Sequence, residues 1–182
     1  VVGHSMGETA AAHVAGHLSL RDAVAVICRR SKLLLQVVGQ GEMALVELSA
    51  DQAEAALQGY QGRLSVAVSN SPRSTVLSGD PDALAEVLTT LEAQGVFCRR
   101  VKVDVASHSP QVDSLLPQIR QVLADLRPQQ GGVPMHSTVR GQVVPGDQLT
   151  PQYWTENLRE PVRFGQVVSD LIADQHSLFI EM

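Results

Sequence analysis

Two β-branched residues, Val1 and Val2, run straight into Gly3-His4-Ser5-Met6-Gly7, and a helical pattern starts at once beyond it. Strand, sharp turn and helix around a Gly-x-Ser-x-Gly pentad are the grammar of a nucleophile elbow. Such a turn requires a strand feeding a helix at a sheet edge, which points to an α/β fold. It holds its serine in a strained backbone geometry with Oγ projecting from the sheet. Gly3 and Gly7 are expected to lack side chains because strand and helix nearly touch there. The Met6 N–H, at the start of the helix, is placed to meet a developing oxyanion, with the helix dipole behind it. A Gly-Ser-Gly cluster is also an ordinary turn, so the pentad alone leaves both readings open.

The spacing of apolar residues divides the rest of the chain. Residues 8–15 are alanine-rich and predict a helix. Ser19 is placed to cap a second helix over 21–38, with Ala23, Val26, Ile27, Leu34 and Val37 at helical spacing. Gly39-Gln40-Gly41 stops it. From Met43 the period shortens. Strands are expected over 43–48, 64–69, 74–78 and 96–103, and helices over 51–57 and 80–94, the latter opened by Asp80 and Pro81. The order βαββαβ is a ferredoxin-like unit. Beyond it a helix over 109–126, a hairpin over 135–144, helices over 150–157 and 162–174 and a last strand over 177–182 are expected. The fold class is therefore α/β: an α/β-hydrolase-like body with a parallel sheet, built from 1–41 and 105–182, plus an inserted ferredoxin-like small subdomain, 42–104. The chain opens and closes in what read as core strands, so it is expected to be a piece of a longer polypeptide.

Composition excludes several classes. Of the 182 residues, 44% are hydrophobic and 18% charged, as in soluble α/β proteins. No apolar run nears the roughly 20 residues that span a bilayer, so no membrane partner is expected. A net charge of −5 argues against a nucleic-acid surface. Cys28 and Cys98 are too few for a disulfide framework and lack metal-ligand spacing, which fits a reducing cytoplasmic setting. Both are expected to be buried apolar side chains.

Ser5 needs a base. His4 adjoins it but points away in an elbow, and His13 and His17 read as surface or capping residues. His136 and His176 read as structural. His108 follows a run expected to be a buried strand, 101–105, and precedes the helix start at Ser109-Pro110, where α/β proteins place functional groups. A satisfied structural histidine is the competing reading. Arg29-Arg30 interrupts an apolar helix face. Adjacent positions lie about 100° apart, so one guanidinium can be solvated while the other turns inward. An inward arginine needs a carboxylate, from the protein or from a ligand.

Five blocks then occur in order: Gly3 to Glu8, Ile27 to Ser31, Asn70-Ser71-Pro72, Val105 to Pro110, and Tyr153-Trp154 through Asn157-Leu158-Arg159 to Pro161-Val162-Arg163-Phe164. Together they cover essentially the whole chain and resemble the acyltransferase domain of a type I polyketide synthase, similar to malonyl-CoA:acyl-carrier-protein transacylases. The wording of the blocks most resembles actinobacterial, mycobacterial-type synthases of methyl-branched lipids. The resemblance implies Ser5 as nucleophile and His108 as general base, in a dyad whose histidine is oriented by a backbone carbonyl, a place that Asn157 occupies here. It implies Arg30 as the clamp on the free carboxylate of the extender unit, and Met6 as one oxyanion-hole donor, with His4 a candidate substrate contact. A second oxyanion donor ahead of the elbow and a helix after the last strand lie outside these residues. The implied substrate is methylmalonyl-CoA or malonyl-CoA, and the implied acceptor is the phosphopantetheine of an acyl carrier protein. Neighbouring synthase domains of the same polypeptide are implied partners, and no bound cofactor or metal is implied.

In that family the tetrad ending in the histidine lines the space beside the substrate's α-carbon, here Val105, Ala106 and Ser107. Malonyl-type members usually carry phenylalanine where Ser107 stands, and methylmalonyl-type members serine, so methylmalonyl is expected. Val105 and Met6 depart from the commonest methylmalonyl pattern, and a malonyl-specific member is the alternative. Two other classes compete: a serine esterase of α/β-hydrolase type, which has no use for a buried Arg30, and a non-catalytic docking module.

Overall fold

The computed structural model describes residues 1–181. After the pentad, α1 (Gly7–Val14) leads through a tight turn to α2 (Leu20–Leu34). Ser19 caps α2, its side chain accepting from the Asp22 N–H at 3.1 Å. A single 3₁₀ turn, Leu35–Val37, ends the segment before Gly39 reverses the chain at φ 76°.

The short-period region folds as β1 (Glu42–Val46), α3 (Ala50–Ala56), β2 (Leu64–Ser71), β3 (Ser74–Gly79), α4 (Pro81–Ala93) and β4 (Cys98–Val101). Ser49 and Gln52 form a capping box at α3, and Asp80 caps α4 ahead of Pro81. The strands make one sheet in the order β2-β3-β1-β4, all pairs antiparallel. One face packs under α3 and α4 through Ala44, Val46, Leu64, Leu77, Leu84 and Leu88. The other carries Val68 and Val76 against Val162, with Met43, Leu45 and Phe164 beside them. Val162 forms a strand-like patch with β2: its N–H donates to the Ala67 carbonyl and its carbonyl accepts from Ser69, both at 2.9 Å.

The strand expected over 96–103 is shorter than its β-branched run. β4 ends at Val101, opposite Met43 near the start of β1, so no partner backbone continues the ladder. The run 101–105, expected to be a buried strand, is instead exposed over 101–104.

In the remainder, Ser109 caps a 3₁₀ segment (Pro110–Leu115) that passes into α5 (Leu116–Val122). The single helix expected over 109–126 is broken because Pro117, with no N–H to donate, is accommodated at the first turn of a new helix. β5 (Met135–Ser137) and β6 (Gln142–Val144) pair antiparallel, and α6 (Pro151–Arg159) and α7 (Phe164–Ala173) follow. The fully buried Tyr153, Trp154 and Leu158 of α6 centre the body's core, with Leu115, Ile119, Met135 and Leu149. Trp154 Nε1–H donates to the Leu149 carbonyl at 3.0 Å, satisfying its polar edge.

Two expectations about the body are corrected. Instead of a parallel sheet, the described residues show two isolated parallel bridges, Val2 with His136 and Val162 with Val68 of β2. Residues 177–181 form no strand and are exposed; Met182 lies outside the described residues. Cys28 is exposed and Cys98 half-buried, so neither is the core residue expected. No helix among the described residues is long and apolar enough to cross a membrane.

Candidate active site

The elbow is formed. Ser5 has φ 52°, a left-handed conformation that L-residues adopt only when the surroundings enforce it. The two glycines of the pentad differ. A Cβ on Gly3 would lie 2.5 Å from Glu8 Cα, whereas one on Gly7 would meet nothing within 4 Å. Strand and helix therefore touch at Gly3 alone, and the expectation of a collision at Gly7 is not met. Met6, at the helix entrance, is exposed, and its N–H donates to no acceptor among the described residues. That leaves a backbone donor open beside Ser5 Oγ.

Ser5 Oγ lies 2.7 Å from His108 Nε2. His108 Nδ1 lies 2.9 Å from the Glu160 carbonyl, which can only accept, so Nδ1 carries the proton and Nε2 is free to accept from Ser5. The His108 N–H also donates to the Leu158 carbonyl at 2.9 Å. Two carbonyls at the end of α6 thus fix both backbone and ring of a residue held at φ 60°. Burial pushes the imidazole down to about 4; the bond to Glu160 opposes this, and the nearby Arg30 charge adds to it. At neutral pH the ring is uncharged, with Nε2 free to act as a base.

Asn157 does not orient His108 as expected. Its amide instead bridges three groups: Oδ1 accepts from Arg30 Nη1 at 2.7 Å, and Nδ2 donates to the Ser5 carbonyl at 3.1 Å and to Glu8 at 2.9 Å. The orienting group is the Glu160 backbone, which has no side-chain signature and could not be singled out from sequence.

The two adjacent arginines separate as their spacing allows. Arg29 pairs with Asp125 at the surface. Arg30 is 3% exposed, enters no ion pair among the described residues, and its Nε has no hydrogen-bond partner. Burial without a counter-charge pulls the guanidinium down to about 10, still a cation at neutral pH. A buried arginine in this state is stabilised by an arriving carboxylate, which matches its fork in bidentate fashion.

Of the tetrad, Ala106 is buried and Val105 packs partly on the body's core. Ser107 is half-buried, and its carbonyl accepts from Ser78 Oγ of β3 at 2.7 Å, tying the loop to the four-stranded sheet. His4 is exposed; its Nε2 donates to Asn70 Oδ1 at 2.9 Å and its ring tilts against Phe164 at 5.2 Å. His13 donates to the Leu18 carbonyl at 3.0 Å, a capping contact. His17, expected at the surface, is 1% exposed and accepts from the Gly131 N–H at 2.8 Å.

Sequence reasoning missed Glu8. It is fully buried, with every neighbour a donor: Thr138 N at 2.5 Å, Thr138 Oγ1 at 2.9 Å, Tyr153 OH at 2.6 Å and Asn157 Nδ2 at 2.9 Å. A glutamate in a first helical turn reads as a partner for the helix dipole. What marks it out is burial, visible only in the fold. Two cavities, of about 410 Å³ between α3 and α4 and about 310 Å³ beside Glu160 and β2, lie outside this constellation. Among the described residues no group of three or more His, Cys, Asp or Glu side chains is arranged to hold a metal.

The acyl transferase domain family matches residues 1–182. A phenolphthiocerol/phthiocerol polyketide synthase of Mycobacterium tuberculosis is 46% identical over the whole chain, which spans 10% of that protein's length. Among solved structures, the acyltransferase domain from module 8 of the salinomycin polyketide synthase is 44% identical with a TM-score of 0.94, over 96% of this chain and 41% of that one. The acyltransferase domain of the polyketide synthase PpsC of Mycobacterium tuberculosis is 40% identical with a TM-score of 0.90, over 96% and 54%.

Proposed function

The chain belongs to the acyl transferase domain family, as found in type I polyketide synthases, and on that premise we propose that it loads an extender unit from CoA onto an acyl carrier protein. The observation that carries this reading is the pairing of Ser5 and His108 beside a buried, counterion-free Arg30. Ser5 Oγ attacks the thioester carbon as its proton passes to His108 Nε2. The Met6 N–H stabilises the oxyanion. The C–S bond then breaks and the proton leaves on the CoA thiol. The acyl–Ser5 ester is attacked by the phosphopantetheine thiol of the carrier, His108 taking that thiol's proton and returning it to Ser5. Arg30 pairs with the free carboxylate of the dicarboxylyl group and so selects it over plain acyl groups. A serine esterase fits less well, because His108 leans on a carbonyl rather than an acid and Arg30 has no role in ester hydrolysis.

The extender is methylmalonyl in this reading, because the small, half-buried Ser107 leaves room beside the α-carbon for a methyl group. We read residues 42–104 as a ferredoxin-like subdomain, supported by the strand order β2-β3-β1-β4, inserted between 1–41 and 105–182. Intact mass after brief mixing with methylmalonyl-CoA and malonyl-CoA in competition tests the proposal. One methylmalonyl adduct is expected, absent with Ser5→Ala and slowed about a hundredfold or more with Arg30→Ala. A malonyl adduct keeps the reaction and overturns the reading of Ser107. No adduct overturns acyl transfer.

A further inference from the structure

Asn157 can serve Arg30 only when its amide faces one way. Oδ1 must point at the guanidinium, which has donors alone, and Nδ2 at the Ser5 carbonyl, which accepts alone. An amide flip reverses both contacts. The group that resists the flip is Glu8: Oε1 is held by the Thr138 N–H, a donor that cannot turn, and Oε2 takes the Asn157 Nδ2 proton and the Tyr153 hydroxyl. We propose that Glu8 is a positioning residue for the substrate-carboxylate site, fixing the direction of the Asn157 amide and through it the setting of Arg30. The inference rests on the acyl-transfer reading and assigns dicarboxylyl selectivity to a four-residue chain, Thr138–Glu8–Asn157–Arg30, rather than to the arginine alone.

The polarity of that chain gives it a specific test. In Glu8→Gln the fixed Thr138 N–H keeps the amide oxygen on its own side, so the new NH₂ faces Asn157 Nδ2, donor against donor. The Asn157 amide then either flips, turning NH₂ toward Arg30, or stays and loses its stop. Single-turnover acylation of the protein is measured with methylmalonyl-CoA, malonyl-CoA and the plain acyl analogue propionyl-CoA, beside thermal unfolding. The expected result is a fall of about tenfold in the preference of Glu8→Gln for the dicarboxylyl-CoA over propionyl-CoA, carried by KM for the dicarboxylyl-CoA. Asn157→Ala leaves Glu8 three of its four donors and should lose the preference too, which keeps the test valid if Glu8→Gln fails to fold. Unchanged preference in folded Glu8→Gln, or in Asn157→Ala, overturns the proposal while leaving acyl transfer intact. Wild-type protein that none of the three acyl-CoAs acylates overturns the acyl-transfer reading and this inference with it.

Discussion

His108 offers the sharpest quantitative test, because its burial and its chemistry predict the same pH window. The folded ring titrates near 4 and the unfolded one near 6.5. Between those values the unfolded state binds more protons, so stability rises with pH and is lost as pH falls from 6.5 toward 4. Linkage gives a loss of about 1.8 kcal/mol from this residue alone between pH 7 and pH 5. Replacing His108 by Gln removes the titration while leaving other ionisable groups in place. Urea unfolding of both proteins at pH 7 and pH 5 should therefore show the wild type losing about 1.8 kcal/mol more than the variant. In parallel, the rate of Ser5 acylation should hold to well below pH 6 and halve near pH 4. Arg30→Ala should raise that midpoint, because the Arg30 charge helps to depress it. Equal losses in the two proteins to within about 0.5 kcal/mol, or an acylation midpoint near 6.5, would refute the picture of a desolvated neutral base.

The two glycines of the pentad should respond oppositely. Gly3→Ala forces a Cβ into the Glu8 backbone and should cost several kcal/mol, read as loss of folded protein in thermal unfolding. Gly7→Ala meets open space and should hold or raise stability by up to about 1 kcal/mol. Ser107→Phe should fill the space beside the α-carbon and turn competition kinetics toward malonyl-CoA; an unchanged ratio would sink the pocket reading.

How far the sequence alone reaches depends on the kind of signal each feature leaves. The elbow was legible because its pentad carries its own geometry, and the succession of strands and helices over residues 42–104 because apolar period and turn residues agree along that stretch. Arg29 and Arg30 could be expected to part, since adjacent helical positions diverge. Glu160 was not legible, because it acts through a carbonyl that every residue possesses. Glu8 was not, because a first-turn glutamate reads the same whether solvated or enclosed. Val103 and Val105 suggested a longer strand, but propensity cannot supply a partner, and Val101 already pairs with Met43 near the start of β1. Gly7 shows the same blindness in reverse: a motif glycine reads as a close contact although space surrounds it.

The stretch from Glu160 to Val162 belongs to two mechanical assemblies at once. Glu160 steadies the imidazole of His108, and two residues later Val162 is laced to β2 through Ala67 and Ser69. The proton-accepting ring is thereby registered to the coordinate frame of the four-stranded sheet as well as to α6. Any rocking of that sheet is delivered to the base within two peptide units. A chimera that exchanges residues 42–104 between relatives must carry over the pairing of 67–69 with 162, or the histidine loses its alignment although no residue near Ser5 has changed.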